Sequence, residues 1–354
     1  MKFLKFFSAL VFIFHLLSCD QLFDSSVNAT GKVGEILVVC DNDVWSSPVK
    51  KALDSSLTKF IMPYFPDVVT FELIHKTNMK FEGAIKRHRN ILIVKIDPAC
   101  KSPDGEIKYR RDVWARRQLI VEITARNKAE MIKLCTNKLS RVHKTFDDIE
   151  WNRIRMYFAD KQNTFLNKEI GKNFGIHIDL PDASNIVSSR TNFFRIALPI
   201  ASRPIEFVGM GQQDMGHIHS GIMIYQYPYT DSDQLSLKNL LAARDTMLMY
   251  NMPHETEGLY MGTQYTKSPI NIYPEMSDAS NYNGTIKGVE MRGMFVFKGL
   301  PIHTTGGAFW AFHFVHPKTK KIVCISGYVD APNTTSWTHF LREIQAIWKS
   351  VTIL

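Results

Sequence analysis

The rhythm of hydrophobic and polar positions changes once along this chain, close to residue 180. Before that point, short continuous apolar runs alternate with stretches of helical period. Glu35–Cys40 and Asn90–Ile96 are runs of the first kind and predict strands buried on both faces. Val68–Ile74 and Gln118–Ala125 predict two more, and Asp97–Asp112 reads as a polar loop. Ser47 as N-cap and Pro48 in the first position open a helix expected to reach Met62, with Val49, Ala52, Leu53, Leu57, Phe60 and Ile61 on one face. Further on, Met131, Cys135, Leu139, Val142, Phe146 and Ile149 recur at alternating spacings of four and three. They predict a helix laid on a sheet that continues toward Phe174, with a break near Asp160–Thr164.

Past Gly175, aromatic, glycine and β-branched residues dominate. Phe193–Leu198 and His219–Tyr227 predict strands, and Leu235–Tyr250 a helix burying Leu237, Leu240, Leu241, Met247 and Leu248. Gly306–His316 and Lys321–Val329 read as hairpin arms around Pro317–Lys320, with Ile286–Phe297 a third antiparallel member. A final helix, capped by Asn333 or Thr334, carries the stripe Trp337, Phe340, Leu341, Ile344, Ile347, Trp348 and Val351, which needs an apolar surface to cover. The pattern predicts an α+β protein: a mixed α/β domain with a long helix over 35–180, then an antiparallel sheet domain over 181–354 packed by a C-terminal helix.

The first nineteen residues follow a different logic. Lys2 and Lys5 precede the apolar run Phe6–Leu17, too short to span a bilayer as a helix, as in a secretory signal. Leu16-Leu17-Ser18-Cys19 resembles the lipobox of bacterial lipoproteins, which implies a signal peptide over 1–18, lipidation at Cys19 and a polar tether over 19–34. The expected location is the bacterial cell envelope, held to a membrane by the lipid, with the outer membrane favoured. Without Met1–Ser18 the chain carries 41 basic and 34 acidic residues, a net charge of +7. A tethered protein of that charge is drawn to anionic lipid, cell-wall polymer or an anionic glycan. Nucleic acid is not an expected partner, since the chain has no known nucleic-acid module and reads as exported. Cys40, Cys100, Cys135 and Cys324 remain, with no Cys-x-x-Cys pair; no disulfide framework is expected.

Catalytic signatures are missing. There is no Gly-x-Ser-x-Gly or His-Glu-x-x-His, and His254-Glu-Thr-Glu257 lacks the second histidine. His217 and His219 share a strand face and would need Asp214 and His303 or His313 to make a metal site; no metal or other cofactor is expected. His313 and His316 lack the parity for one strand face. Asp147-Asp148 is read as a solvated helix face, and the glycines of Gly209-Met-Gly211 and Gly306-Gly307 as turn residues. The candidate ligand-binding residues are Arg111, Trp114 and Arg116, within Tyr109-Arg-Arg-Asp-Val-Trp-Ala-Arg-Arg117. Planar guanidinium groups beside an indole suit anionic or sugar-bearing ligands, against the alternative that Trp114 packs on the domain edge. Tyr225, Tyr227 and Tyr229 share a sheet face, either as a sugar platform or as packing under the Leu235 helix.

Several phrases resemble one family, the domain of unknown function 4837 lipoproteins of the Bacteroidetes. They are Gly31–Val39, His88–Leu92, Asp112–Ala115 with Gln118, Ile224–Asp231, Ala243–Asp245, Tyr260-Met261, Glu290–Gly293, Gly306-Gly307 with Phe309, and Gly327-Tyr328 before Ala331-Pro332. Phe207-Val-Gly-Met210 departs from the Phe-Val-Trp-type phrase expected there. The resemblance implies an envelope lipoprotein and brings no activity or site residue with it. The function expected is a non-catalytic envelope lipoprotein that binds a glycan or protein partner or supports assembly; the alternative is a hydrolase of envelope polysaccharide or peptidoglycan.

Overall fold

The structure is a computed structural model and describes residues 27–62, 68–199, 201–206, 213–266, 272–300, 306–330 and 337–354. Cys19, the signal segment, most of the tether, Gly209-Met-Gly211, His303 and the Asn333/Thr334 cap lie outside the described residues. The fold is α+β, and it gathers into two compact units. One contains 27–32, Ile36–Lys50 and Ile74–Leu134; the other contains Val33–Glu35, Lys51–Leu73 and Cys135–Leu354.

The first unit is built on a five-stranded sheet. Its order is β4 (Glu72–Lys76), β1 (Glu35–Val39), β5 (Asn90–Ile96), β7 (Leu119–Ala125) and β6 (Glu106–Arg111). β1, β5 and β7 run parallel, with Leu37 opposite Ile91 and Ile91 opposite Ile120. These are the continuous apolar runs, and their middles are buried, as central parallel strands require. β6 lies where a loop was expected. It pairs antiparallel to β7 as an edge strand with Lys108–Arg111 exposed, so no buried face writes an apolar pattern into it. Arg110 and Lys95 reach the β7 carboxylate Glu122 at 3.2 and 3.1 Å.

Helix α1 (Asn42–Trp45) precedes α2 (Pro48–Leu57), which stops five residues short of the expected Met62. Phe60–Met62 forms β2 instead, paired with β3 (Val68–Val69), because this turn of chain places Ile61 in an apolar cluster with Val68 and Ile154. Helix α3 (Lys128–Asp160) buries Met131, Cys135, Leu139, Val142 and Phe146 as their spacing predicts. It ends where the break was expected. Asn163 caps α4 (Thr164–Phe174), accepting the Leu166 amide at 3.0 Å, and Gly175 ends it at φ +67°.

A nine-stranded antiparallel sheet dominates the second unit. The main path is β13 (Tyr260–Thr263), β15 (Lys287–Lys298), β16 (Gly306–Val315), β17 (Lys321–Asp330), β12 (Gln213–Pro228), β10 (Phe193–Ala197) and β9 (Asn185–Arg190). β11 (Ala201–Glu206) also pairs with β12, and β14 (Glu275–Ser280) with β15. Gly306 and Gly307 are strand residues rather than turn residues: a Cβ on Gly307 would sit 2.0 Å from the Val329 carbonyl oxygen. Helix α6 (Trp337–Lys349) covers one face, burying Trp337, Phe340, Leu341, Ile344, Ile347 and Trp348 in a cluster with Phe312, Phe314, Val323 and Ile325. Trp348 stacks on Phe312 at 4.8 Å. Each such side chain contributes about 2 kcal/mol by burial. The opposite face carries helix α5 (Leu237–Asn251), whose Leu240, Leu241, Met247 and Leu248 meet Met223, Tyr225, Phe295, Phe309 and Cys324. Two short strands, β8 (Ile176–His177) and β18 (Thr352–Ile353), pair with each other. The Asp147 carboxylate is not simply solvated, as expected, since it pairs with buried Arg342; Asp148 is exposed and pairs with Lys144.

All four cysteines among the described residues are free and buried. No helix among the described residues is long and apolar enough to cross a membrane.

Candidate functional site

Arg111 ends β6, and Trp114 and Arg116 lie on the Asp112–Gln118 connection between β6 and β7. This loop is braced from within. Gln118, fully buried, donates from Nε2 to the Lys86 and His88 carbonyls at 2.6 and 2.8 Å, and its Oε1 accepts the Trp114 amide at 3.0 Å. The Asp112 carboxylate takes the Gln118 amide at 3.1 Å. Asp112 and Arg117 hold φ of +52° and +63°, a left-handed backbone that costs a non-glycine residue about 1 kcal/mol and persists only where surroundings impose it. Arg111 and Arg116 are exposed. Trp114 is half-buried and turns inward, edge-on to Phe81 at 5.5 Å, against the cluster of Leu37, Val39, Ile91, Ile93 and Ile120. The cation over its ring is Lys86, at 5.8 Å. The loop therefore presents guanidinium groups to solvent while its indole packs on the sheet.

A second candidate was only half visible in the sequence. Tyr225 and Tyr227 face α5, as one of the two readings held, and their rings stack at 6.4 Å. Beside them the helix places Ala242 and Ala243 where larger side chains would fill the gap. The result is a cavity of about 680 Å³ opening between α5, β12 and the β9–β10 turn. Phe193, Tyr225, Tyr227, Met247 and Tyr250 supply apolar wall, while Arg190, Asn192 and Thr246 supply polar groups. Tyr250 is 67% exposed and Arg190 is exposed, so both stand at the mouth. Gln226 fixes the turn, donating to Asn192 Oδ1 at 3.2 Å and the Asn173 carbonyl at 3.1 Å. Sequence reading missed the β9–β10 turn because β9 is an exposed edge strand. The adjacent alanines were its one available signal.

Behind Tyr225, polar side chains form a row across three strands: Tyr225 on β12 is opposite Cys324 on β17, which is opposite His313 on β16. The Tyr225 hydroxyl lies 3.5 Å from His313 Nε2. Arg244 of α5 is fully buried, with its guanidinium 3.6 Å from the Phe309 ring centre and Nη1 donating to Ser326 Oγ at 2.8 Å. Its Nε and Nη2 have no hydrogen-bond partner among the described residues. Burial, helped by the Arg244 charge, pushes the His313 imidazole down to about 3, and burial pushes the Cys324 thiol up to about 12. At neutral pH the imidazole is uncharged and the thiol protonated, the reverse of an activated cysteine. His316 does not join this row; its Nδ1 accepts the Lys318 and Thr319 amides and so shapes the hairpin turn. His219 is exposed, opposite Asp330 in the register of β12 and β17. The side chains of Asp214 and His217 lie outside the described residues.

Comparison with known proteins adds family and no activity. A profile described as a domain of unknown function (DUF8532) matches residues 29–159, and a second, described as a domain of unknown function (DUF4837), matches residues 163–350. No curated protein matches the chain. Among solved structures, nine chains match, one being the solution structure of cyanobacterial PsbP (CyanoP) from Synechocystis sp. PCC 6803. It is 7% identical over 48% of this chain and 92% of its own, with a TM-score of 0.25, too slight a likeness to inform either fold or function. With more than half its length matched by the second profile, the chain belongs to the family of the domain of unknown function 4837.

Proposed function

We propose that this protein is a non-catalytic binding protein of the bacterial cell envelope, anchored by a lipid on Cys19, and that the tyrosine-walled cavity receives its ligand, an acidic saccharide of an envelope polymer. The observation that carries the reading is the make-up of that cavity. Aromatic rings offer flat apolar faces to a sugar, and Arg190 at the mouth suits a carboxylate or phosphate. Among the described residues no carboxylate lines it, whereas a glycosidase places a pair of acids across its scissile bond. The exposed arginines of the Asp112–Gln118 loop add charge that draws acidic polymer to the surface.

The test has two arms. Acidic oligosaccharides released from the envelope are titrated against the full chain and against Tyr250→Ala and Ala242→Trp variants. Saturable binding that falls at least about tenfold in both supports the cavity, and binding indifferent to both overturns it. Separately, Cys19→Ser is expected to release the protein from membranes. Quantitative membrane retention of that variant in high salt removes the anchor from the proposal.

A further inference from the structure

A second, smaller cavity of about 260 Å³ lies within the antiparallel unit, and its chemistry differs from that of the tyrosine cavity. Four segments close it. Arg155 comes from α3, His177 and Asp179 from β8 and its exit, Tyr282 from the β14–β15 turn, and Lys349 from the end of α6. The walls are tied to one another. Asn281 donates to the Val351 carbonyl at 2.9 Å, Tyr282 donates its amide to the Lys349 carbonyl at 2.8 Å, and the Asp179 amide donates to Ser350 Oγ at 2.7 Å.

Positive charge is in surplus there. Asp179 is the one carboxylate in the lining among the described residues, and its Oδ1 already accepts Gln162 Nε2 at 2.8 Å and lies 3.3 Å from His177 Nε2. Neither Arg155 nor Lys349 has an ion-pair partner among the described residues. Arg155 stacks 5.1 Å from the Tyr282 ring, and Lys349 Nζ sits 4.1 Å from the Trp151 ring centre and 4.9 Å from that of Trp348. Aromatic faces hold a cation in place without consuming its hydrogen bonds. The Tyr282 hydroxyl is sequestered from solvent, with no hydrogen-bond partner among the described residues. Burial pushes the Lys349 ammonium below its ordinary value and the Tyr282 phenol above its own, so the phenol keeps its proton to donate.

We propose that this cavity is a phosphate-group site, with Arg155 and Lys349 balancing the charge and the Tyr282 hydroxyl donating a third hydrogen bond. Three donors arriving from three segments match the oxygens of a tetrahedral anion, whereas a planar carboxylate is satisfied by one guanidinium fork. The site stands apart from the tyrosine cavity and does not rest on the function proposed above.

The experiment titrates the full chain with inorganic phosphate, read by the fluorescence of the tryptophans against Lys349 and by phosphorus NMR linewidth. Saturable binding is expected, weakened at least about tenfold by Arg155→Gln and by Lys349→Gln and several-fold by Tyr282→Phe. Arg155 is exposed, so Arg155→Gln keeps the fold and decides the matter even if Lys349→Gln melts early. Glycerol 3-phosphate is titrated in parallel: tighter binding than phosphate identifies a substituted phosphate as occupant, and weaker binding identifies the free anion. No saturation by about 10 mM of either, or binding unchanged in Arg155→Gln, overturns the site.

Discussion

Arg342 donates from Nη1 to Asp147 Oδ1 at 2.7 Å, joining α6 to α3 from a side chain that is 1% exposed. Its Nη2 donates to the Thr70 carbonyl at 2.9 Å, and the guanidinium lies 4.8 Å from the Phe71 ring centre. A buried guanidinium depends on such partners far more than they depend on it. Asp147→Asn keeps the shape and removes the charge. It is expected to destabilise the protein by about 2 kcal/mol, less than the full penalty for a buried pair because the carboxylate is 22% exposed. Chemical denaturation with an unchanged slope and a lower midpoint is the result to look for. An unchanged midpoint would show that Thr70 and Phe71 suffice.

Acid should weaken this fold through two histidines. Burial holds His143 down to about 4 and His313 down to about 3, against an ordinary value of 6.5. The unfolded chain therefore binds more protons below pH 6.5. Stability is complete above that pH and is lost as pH falls toward 4 and then 3. Among the described residues His313 Nδ1 has no hydrogen-bond partner and Nε2 has only the 3.5 Å contact to the Tyr225 hydroxyl, so His313→Leu forfeits little at neutral pH and should flatten the decline between pH 6.5 and 4. Melting temperatures across that range check this, and identical slopes for the two proteins would refute it.

Gly327 sets how closely α6 approaches the sheet. A methyl group at this position would come within 2.3 Å of Ile344 Cγ2 and 2.5 Å of Cγ1. Ile344 is fully buried and stiff at χ1, so it has no easy retreat. Gly327→Ala is expected to cost about 1–3 kcal/mol, with Ile344→Ala on top recovering part of the loss. Simple addition of the two single effects in a double-mutant cycle would mean that the helix shifts as a body.

The Asp112–Gln118 loop makes the opposite demand. Arg111 and Arg116 are exposed, so Arg111→Ala with Arg116→Ala should leave stability within about 0.5 kcal/mol while weakening association with acidic envelope material. A pull-down beside a thermal melt separates the two. A large loss of melting temperature with full capture would make the arginines structural.

Sequence patterning was most informative where burial is symmetrical. Ile91–Val94 and Leu119–Val121 are buried on both sides and announce themselves as apolar runs, and the Trp337–Trp348 stripe announces a helix with one wet face. Lys108–Arg111 and Asn185–Arg190 are strands too, but they lie at sheet edges and pair on one side, so their composition is that of loops. For the sites, residue type was legible and direction was not. Trp114 looks like a ligand residue in sequence, yet its ring is committed to Phe81 and Lys86. Tyr282, Lys349 and Arg155 are far apart in the chain and carry no local signature; they meet because the β14–β15 turn is pinned to the end of α6 and Tyr282 packs on Trp151 and Arg155 of α3.

The division of the chain between its two units bears on how the protein can be cut. The antiparallel unit reclaims Lys51–Leu73 from upstream of the residues that complete the other unit. That returning segment brings Ile61 and Val68 into the apolar cluster, the Ile61 carbonyl to Arg292 at 2.8 Å and the Thr70 carbonyl to Arg342. A polypeptide beginning at Cys135 would therefore hold every strand of the large sheet, and the part of α3 that belongs with it, and still leave two arginines short of an acceptor and a patch of core open to water. Such a fragment is an incomplete jigsaw rather than a module. Grafting or expressing it alone calls for supplying Lys51–Leu73 in trans, as a complementing peptide.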